Sequence, residues 1–255
     1  MKFGAQLYTV REFCKTSEGL HDSLQKIAKM GYEGVQVSAV EAFLTTVSPD
    51  QLREWLDELG LTCCATHRPW DRYVKHLDEE IAIHKALGCE IMGIGMGPKS
   101  CFDGGPAEWR KWLISVNQIV EKLAPQDLSF AYHNHAIEFE KKCDERAIDI
   151  LASESNQAMQ FILDTYWVVH AGADAVDWIQ QLRGRLDVVH LKDKAVVGWE
   201  TRYAPVGEGN LAWSSILPAL EDAGCKWGVV EQDDCYGENP FDCLERSLKY
   251  LRSGE

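Results

Sequence analysis

Residues 161–193 read FILDTYWVVHAGADAVDWIQQLRGRLDVVHLKD, and this segment is the most informative one about the fold. It holds two short apolar runs, Phe161–Thr165 and Leu186–Lys192, with a helically periodic segment between them. A strand, a helix and a second strand in this order predict a parallel βαβ unit. The first run closes around Asp164 and the second around His190, so each predicted strand carries a polar group near its carboxyl end.

The same alternation continues in both directions along the chain. The predicted strands are Phe3–Thr9, Val35–Ser38, Leu61–His67, Ile91–Met96, Leu128–His135, Phe161–Thr165, Leu186–Lys192 and Trp227–Gln232. The predicted helices are Gly19–Met30, Pro49–Leu59, Leu77–Leu87, Pro106–Leu123, Glu145–Ser153, Ala175–Leu182, Trp213–Ala223 and Pro240–Leu251. Eight βα units in about 250 residues predict an α/β fold, a single (β/α)8 TIM barrel over residues 1–255 with no separable subdomain.

An open doubly wound sheet is the alternative to the barrel, but its phosphate-binding signature is missing. The glycines of Gly93-Ile-Gly95-Met-Gly97 do not have the dinucleotide-binding spacing, and there is no P-loop. We interpret them as tight turn geometry.

Composition restricts the partners. The formal net charge of −14 disfavours nucleic acid and anionic membranes, which are bound through lysine and arginine. No apolar run approaches the length of a membrane span, and the first one is too short for a signal core. The nine cysteines lack a Cys-x-x-Cys pair and are expected to be reduced, mostly buried thiols of a cytoplasmic protein.

Four polar groups at or near the ends of apolar runs are candidate metal ligands: Glu138, Asp164, His190 and Glu231. Three carboxylates and one imidazole suit a hard divalent cation. Active sites of TIM barrels lie at the carboxyl ends of the strands. We therefore predict that the site binds one divalent ion. Mn²⁺ is the preferred assignment, and Mg²⁺, Co²⁺ and Zn²⁺ are the alternatives.

Two of these assignments have alternatives in the sequence itself. His133 or His135 can replace Glu138 as the ligand from the fifth strand, because Glu138 follows a few residues later. These two histidines alternate along a strand and so face one side, which we predict to be the barrel lumen. Asp164 can instead cap the helix that follows it.

Several segments together resemble a known family: YHNHAIEF (132–139), LDTYWVVHAGAD (163–174), VVHLKDK (188–194), PVGEGNLAW (205–213) and VVEQDD (229–234). They resemble the xylose isomerase-like barrel superfamily, and within it the sugar phosphate isomerase/epimerase group. That group includes ketose 3-epimerases, keto-glycoside epimerases, inosose dehydratases and keto-sugar lyases. The resemblance implies one metal held by Glu, Asp, His and Glu from strands five to eight.

The resemblance and the predicted metal indicate a sugar isomerase or epimerase that removes a proton next to a carbonyl. Glu138 and Glu231 are the predicted acid and base, on opposite faces of the substrate. If elimination follows, making the enzyme a lyase or dehydratase, His133 or His135 is the predicted acid. A non-catalytic sugar-binding barrel is a third hypothesis.

A nuclease of the endonuclease IV type is a remote alternative. It is disfavoured by Trp167, where that resemblance requires histidine, and by the acidic charge.

The predicted partner is a small sugar. The sequence is also compatible with a homo-oligomer. No cluster of arginine or lysine stands out for a phosphate, which favours a non-phosphorylated substrate. His84, beside Lys85 in a helix, is expected at the surface. The predicted substrate-binding residues are Tyr8, His67, Trp167, Lys192 and Glu208, the last of which can equally serve a turn.

Overall fold

Eight parallel strands close into a barrel in the computed structural model, which describes residues 1–254. The strands are Lys2–Gln6 (β1), Gly34–Val37 (β2), Thr62–His67 (β3), Ile91–Ile94 (β4), Ser129–His133 (β5), Gln160–Asp164 (β6), Val188–Leu191 (β7) and Trp227–Val230 (β8). Each strand pairs in parallel with its sequence neighbours, and β1 closes the ring by pairing with β8. The predicted (β/α)8 TIM barrel is confirmed.

Eight helices surround the strands. They are Ser17–Met30 (α1), Pro49–Leu59 (α2), Leu77–Leu87 (α3), Pro106–Leu123 (α4), Ala147–Glu154 (α5), Ala175–Gln181 (α6), Trp213–Asp222 (α7) and Pro240–Ser253 (α8).

The bounds of α2, α3 and α4 match the sequence prediction, because residues that favour the start or the end of a helix stand at these positions. Ser48 accepts a hydrogen bond from the amide of Gln51 at the start of α2. Gly88 ends α3 with φ 64°, a left-handed conformation that glycine adopts without strain.

Additional short elements lie mostly at the carboxyl end of the barrel. They are the α-helices Trp70–Lys75, Lys99–Gly104 and Thr165–His170, the 3-10 helices Leu7–Phe13, Ala124–Gln126 and Ile137–Phe139, the ribbon Asp193–Val197 with Glu200–Ala204, and the pair Lys141–Lys142 with Glu145–Arg146. The predicted first strand, Phe3–Thr9, is shorter in the structure. It ends at Gln6, whose side chain accepts from the amide of Tyr8 and turns the chain.

Two apolar layers hold the barrel together. The lumen is filled by a small cluster, and the larger layer lies between strands and helices. The lumen cluster consists of Cys64, Ala65, Ile91, Ala131, Ile162, Val188 and Val229. All nine cysteines are free thiols, and only Cys143 is exposed, as expected. Among residues 1–254, no helix combines the length and apolarity needed to cross a bilayer.

Strand register places the first candidate site residues side by side. Asp164 on β6 is level with His190 on β7, and His190 is level with Val229 on β8. Residues at the same level of neighbouring strands point to the same face, so Asp164 and His190 both enter the lumen. Glu231 lies just beyond β8, where its amide donates to the carbonyl of Leu191.

Candidate metal centre

Four buried side chains converge at the carboxyl ends of β5 to β8: His133, Asp164, His190 and Glu231. One nitrogen or oxygen of each lies within 4.8 Å of the others. Three of them are sequence-predicted ligands, and the fourth, His133, is one of the two histidines that the sequence offered as alternatives to Glu138.

Each imidazole of this cluster has one ring nitrogen that faces away from the cluster, here called the outer nitrogen, and an oxygen of another residue accepts a hydrogen bond from it. His133 Nδ1 lies 3.2 Å from the carbonyl oxygen of Gly95, and His190 Nε2 lies 2.7 Å from Oε1 of Gln36. Because these oxygens only accept, the two nitrogens must carry the hydrogens. The inner nitrogens, His133 Nε2 and His190 Nδ1, are then free to act as ligands, in the arrangement usual for metal-binding histidines.

The inner nitrogens face carboxylate oxygens. His133 Nε2 lies 3.3 Å from Oδ2 of Asp164. His190 Nδ1 lies 3.0 Å from Oε2 of Glu231 but makes no hydrogen bond. Two buried carboxylates facing two imidazole nitrogens need a positive charge between them, which either a bound metal ion or the proton of an imidazolium supplies.

The pKa shifts of His190 and Asp164 also indicate that the cluster favours a positive charge. Burial opposes the protonation of His190, but the adjacent Glu231 and Asp164 outweigh it and raise its pKa to about 9. Burial likewise opposes ionisation of Asp164, yet Lys192, His133 and His190 hold its pKa below the ordinary range. The residues fit a divalent cation. Two imidazole nitrogens and two carboxylate oxygens suit Mn²⁺, Co²⁺ or Zn²⁺ better than Mg²⁺, which prefers oxygen.

Asp164 combines the two roles that the sequence presented as alternatives. Its Oδ1 accepts from the amide of Trp167 at 3.0 Å and caps the short helix Thr165–His170. Its Oδ2 points into the cluster. Its own amide donates to Oδ1 of Asn134 at 2.9 Å, which fixes β6 against the end of β5.

Glu138 lies outside the cluster, contrary to its expected role as ligand. The turn Ile137–Phe139 folds it back beneath the chain, where Oε1 accepts from the hydroxyl of Tyr132 at 2.6 Å and Oε2 from the amide of His135 at 2.8 Å. Burial raises its pKa to about 7, although these hydrogen bonds partly oppose the shift. Both oxygens are therefore used to brace the segment that carries His133 and His135.

Lys192 supplies a buried positive charge beside the cluster. Its Nζ lies 2.7 Å from Oδ1 of Asp233, 2.9 Å from Oε2 of Glu231 and 3.4 Å from Oδ2 of Asp164. The ammonium group also lies over the rings of Trp167 and Tyr203, at 5.4 and 5.2 Å. Lys192 therefore compensates the carboxylates as well as lining the pocket.

A pocket of about 290 Å³ opens above the cluster. Its lining residues are Tyr8, Ser38, His67, Gly95, Met96, His133, His135, Lys192, Glu231 and Asp233. Trp167, a predicted substrate-binding residue, is not one of them. It lies behind the wall, with its ring 5.4 Å from that of His135.

Sequence reasoning missed Asp233 and Gln36. Asp233 follows Glu231 in VVEQDD, and its position two residues beyond the strand end was a usable signal. Gln36 is an amide inside the apolar run of β2, and a polar side chain buried in a strand often has a partner to hold.

Several buried polar atoms around the pocket lack a partner. They include His67 Nε2, His135 Nδ1, Trp167 Nε1, Asn134 Nδ2 and Gln36 Nε2. Burial lowers the pKa of His135 to about 3 and that of His67 well below its ordinary value, so both rings are neutral near pH 7. Unpaired buried donors and acceptors cost about 1–3 kcal/mol each, so their concentration here indicates a site for a polar ligand.

Glu208 does not line the pocket. It lies at the surface and pairs with Arg246 at 2.8 Å. The polar centre of the PVGEGNLAW loop is instead Asp193, which accepts from the amides of Gly207, Gly209 and Leu211. A Cβ on Gly209 would lie 2.3 Å from Asp193 Oδ1, so the close approach requires glycine. The loop motif is thus a structural clamp on the residue that follows Lys192.

Comparison with known proteins agrees with the barrel. The family described as xylose isomerase-like TIM barrel matches residues 24–254. The chain belongs to this family. The resemblance found in the sequence is thereby confirmed.

Curated relatives include inosose dehydratases of two clostridia. The Clostridium beijerinckii protein is 23% identical over 163 residues, which cover 57% of this chain and 54% of that protein. The Clostridium perfringens (strain 13 / Type A) protein is 22% identical over 218 residues, covering 73% and 72%. This chain thus spans about half the length of the first relative.

Similar solved structures cover nearly the whole chain. A sugar phosphate isomerase/epimerase from Parabacteroides distasonis has a TM-score of 0.78 at 21% identity, covering 99% of this chain and 93% of that one. L-ribulose 3-epimerase has a TM-score of 0.76 at 14% identity, covering 100% and 94%. The IOLI protein with a zinc atom has a TM-score of 0.73 at 16% identity, covering 100% and 98%. At these identities the likeness establishes the fold.

Proposed function

We propose that this protein is a divalent-metal-dependent sugar isomerase or epimerase. It would act by removing a proton next to the carbonyl of a keto-sugar or keto-glycoside. The observation that carries the proposal is the buried cluster of His133, Asp164, His190 and Glu231 beneath a polar pocket. The names of similar proteins, L-ribulose 3-epimerase and inosose dehydratase, support a sugar-like substrate.

The cluster residues would hold the metal, through His133 Nε2, His190 Nδ1, Asp164 Oδ2 and an oxygen of Glu231. The nitrogen content of the set makes Mn²⁺, Co²⁺ and Zn²⁺ the proposed ions, and the zinc atom of the IOLI structure is consistent with this choice. A bound divalent cation supplies Lewis-acid polarisation of the substrate carbonyl.

Proton transfer is assigned to groups from the two ends of the four-strand run β5–β8. Glu231 follows β8, and its carboxylate lines the pocket as the proposed acid or base on one side. His135 follows β5, and its unpaired Nδ1 makes it the proposed partner on the other side. Glu138 is not given this role, because both its oxygens are already hydrogen-bonded beneath the loop.

Binding of the sugar hydroxyls is assigned to the remaining pocket groups. The neutral His67 offers an unpaired Nε2, Tyr8 offers its phenol ring and hydroxyl, and Lys192 offers its ammonium group. Trp167 would shape the wall behind His135.

A lyase or dehydratase that eliminates a group from a keto-sugar is the second candidate. The inosose dehydratase relatives favour it. The position of His135 in the pocket lining, with an unpaired ring nitrogen, also favours it. The same proton removal leads to elimination when a leaving group lies on the next carbon. His135 would then pass a proton to the departing oxygen. Because its low pKa leaves the ring neutral near pH 7, one ring nitrogen would take up a proton from water in the pocket as the other releases one.

The remote nuclease alternative gains no support from the site. Among residues 1–254, one group of potential metal ligands is found, and it has four members. The acidic net charge also opposes a DNA substrate. We therefore propose a small sugar as the partner and a cytoplasmic location.

The test is a screen of keto-sugars and keto-glycosides in D₂O, with the protein stripped by a chelator and reloaded with Mn²⁺, Co²⁺ or Zn²⁺. The proposal expects metal-dependent incorporation of deuterium next to the carbonyl. An epimerised product supports the epimerase, and a dehydrated product supports the lyase. An isomerised or epimerised product without deuterium would contradict the epimerase, since a hydride shift would then explain the reaction better. Absence of any isomerised, epimerised or dehydrated product and of exchange into substrate would contradict both.

A further inference from the structure

A second cavity of about 370 Å³ adjoins the pocket above the metal cluster. The two have Ser38 and His67 in common in their walls, so they are direct neighbours at these two residues. We call the second cavity the side lobe. Its lining residues are Val37, Ser38, Ala39, Val40, Glu41, Phe43, His67, Arg68 and Pro69.

The wall of the side lobe is mainly apolar. Val37, Val40, Phe43 and Pro69 contribute hydrocarbon surface, and the first three are nearly buried. The Phe43 ring is fixed beside the guanidinium of Arg68, whose central carbon lies 5.9 Å from the ring centre. A lobe with a nearly buried aromatic ring among aliphatic side chains suits the apolar face of a second ring.

The charges near the side lobe disfavour a phosphate group. Arg68 is bound through Nε and Nη2 to Glu80, at 2.9 and 3.0 Å, and Glu80 is fully buried. The other charged lining residue, Glu41, is acidic. In the neighbouring lobe the ammonium of Lys192 is surrounded by three carboxylates. The lining of the two lobes thus presents no cation without a carboxylate partner to a dianionic ligand.

Resting on the proposed function, we propose that the substrate is a neutral glycoside. Its keto-sugar ring would lie over the metal cluster, and its aglycone ring would lie in the side lobe against Phe43. Each lobe alone is near the lower limit of about 300 Å³ for a ligand pocket, whereas together they match a ligand of two linked rings. A sugar phosphate would leave the side lobe empty, and its phosphate group would find no unpaired cation in the lining of either lobe.

Saturation-transfer NMR with unreactive probes tests the side lobe without relying on turnover. The probes are phenyl α- and β-D-glucopyranoside, with the methyl glucosides as references. The wild-type protein should saturate the phenyl protons of at least one anomer. Val40→Phe, which fills the lobe, and Phe43→Ala, which removes its aromatic wall, should each lower that saturation several-fold. Leu44→Ala is the matched control, because the neighbouring Leu44 is partly exposed and does not line the lobe.

The outcomes separate this inference from the proposed function. Absence of phenyl saturation in the wild type, or equal saturation in Val40→Phe, Phe43→Ala and Leu44→Ala, would overturn the side-lobe assignment. The proposed function is tested independently by deuterium exchange into a free keto-sugar, which has no aglycone. Exchange without phenyl saturation leaves the function standing and removes the inference. Circular dichroism and thermal melting of each variant confirm that it is folded.

Discussion

Nε2 of His133 lies 3.3 Å from Oδ2 of Asp164, which joins the ends of the fifth and sixth strands inside the barrel. Because the carbonyl of Gly95 binds the other ring nitrogen, the imidazole is oriented with Nε2 toward the carboxylates. The fifth strand thereby contributes an imidazole where the sequence suggested the carboxylate of Glu138. The site that results has two nitrogens and two carboxylates.

Removing the acceptor that orients His190 should weaken metal binding without removing a ligand. Gln36→Ala leaves His190 Nε2 without its 2.7 Å partner, and loss of such an outer contact typically costs 10–100-fold in metal affinity. Equilibrium titration with Zn²⁺ or Mn²⁺ measures this. Gln6→Ala is the control, since Gln6 is an equally buried amide on the adjacent strand that instead binds the amide of Tyr8. Equal weakening in both variants would contradict the positioning role of Gln36.

Asp193 should matter for stability and Glu208 should not. Asp193→Asn places an amide donor among the amides of Gly207, Gly209 and Leu211 and the indole nitrogen of Trp213, and should destabilise the fold by roughly 3 kcal/mol. Glu208→Gln breaks one exposed ion pair and should cost no more than about 1 kcal/mol. Urea denaturation of both variants gives the comparison. Similar losses in the two would refute the clamp described for this loop.

His84 should make stability depend on pH. It is buried in α3 between the hydroxyl of Thr66 and the carbonyl of Glu80, each 2.7 Å away, and burial lowers its pKa to about 4. The unfolded chain binds this proton near pH 6.5, so the contribution of His84 is complete above that value and is lost as the pH falls toward 4. The loss amounts to roughly 3 kcal/mol.

Denaturant titrations at pH 7.5 and 4.5 measure this contribution. The difference in unfolding free energy between the two pH values should be clearly smaller in His84→Gln than in the wild type. His76→Gln serves as the control, because His76 is exposed. An unchanged difference in His84→Gln would show that another group carries the pH dependence.

The chain should behave as one cooperative unit. A closed barrel needs all eight strands, so a fragment of half the chain that separates from the rest loses the pairing between β1 and β8. Limited proteolysis should therefore give either the intact chain or small peptides. Isolation of a stable fragment of about half the chain would contradict the single barrel.

The barrel was predictable because local signals agree with it. Helices α2 and α3 begin and end where Ser48, Pro49 and Gly88 require. The predicted ends of the strands were less accurate, because contacts with residues far away in the sequence determine where a strand ends. The predicted strand Leu128–His135 stops at His133 because Asn134 turns to bind the amide of Asp164, a residue 30 positions away.

The candidate site was only partly predictable. Asp164, His190 and Glu231 were found because each lies at an abrupt end of an apolar run, and register brings such ends together. The sequence could not show that the turn Ile137–Phe139 directs Glu138 toward Tyr132. Similarly, the expectation that His84 lies at the surface is wrong, because its helix turns that side toward Thr66 on β3.

Equilibrium binding of a divalent metal by variants of the four-residue cluster tests the proposed metal centre directly. The wild type should bind one Mn²⁺ or Zn²⁺ per chain, and Asp164→Asn, His133→Ala and Glu231→Gln should each bind at least about 100-fold more weakly, since they lose a ligand itself. Glu138→Gln should retain wild-type affinity, because Glu138 lies outside the cluster. Loss of metal in Glu138→Gln together with full occupancy in His133→Ala, or the absence of any metal binding by the folded wild type, would contradict the proposed metal centre.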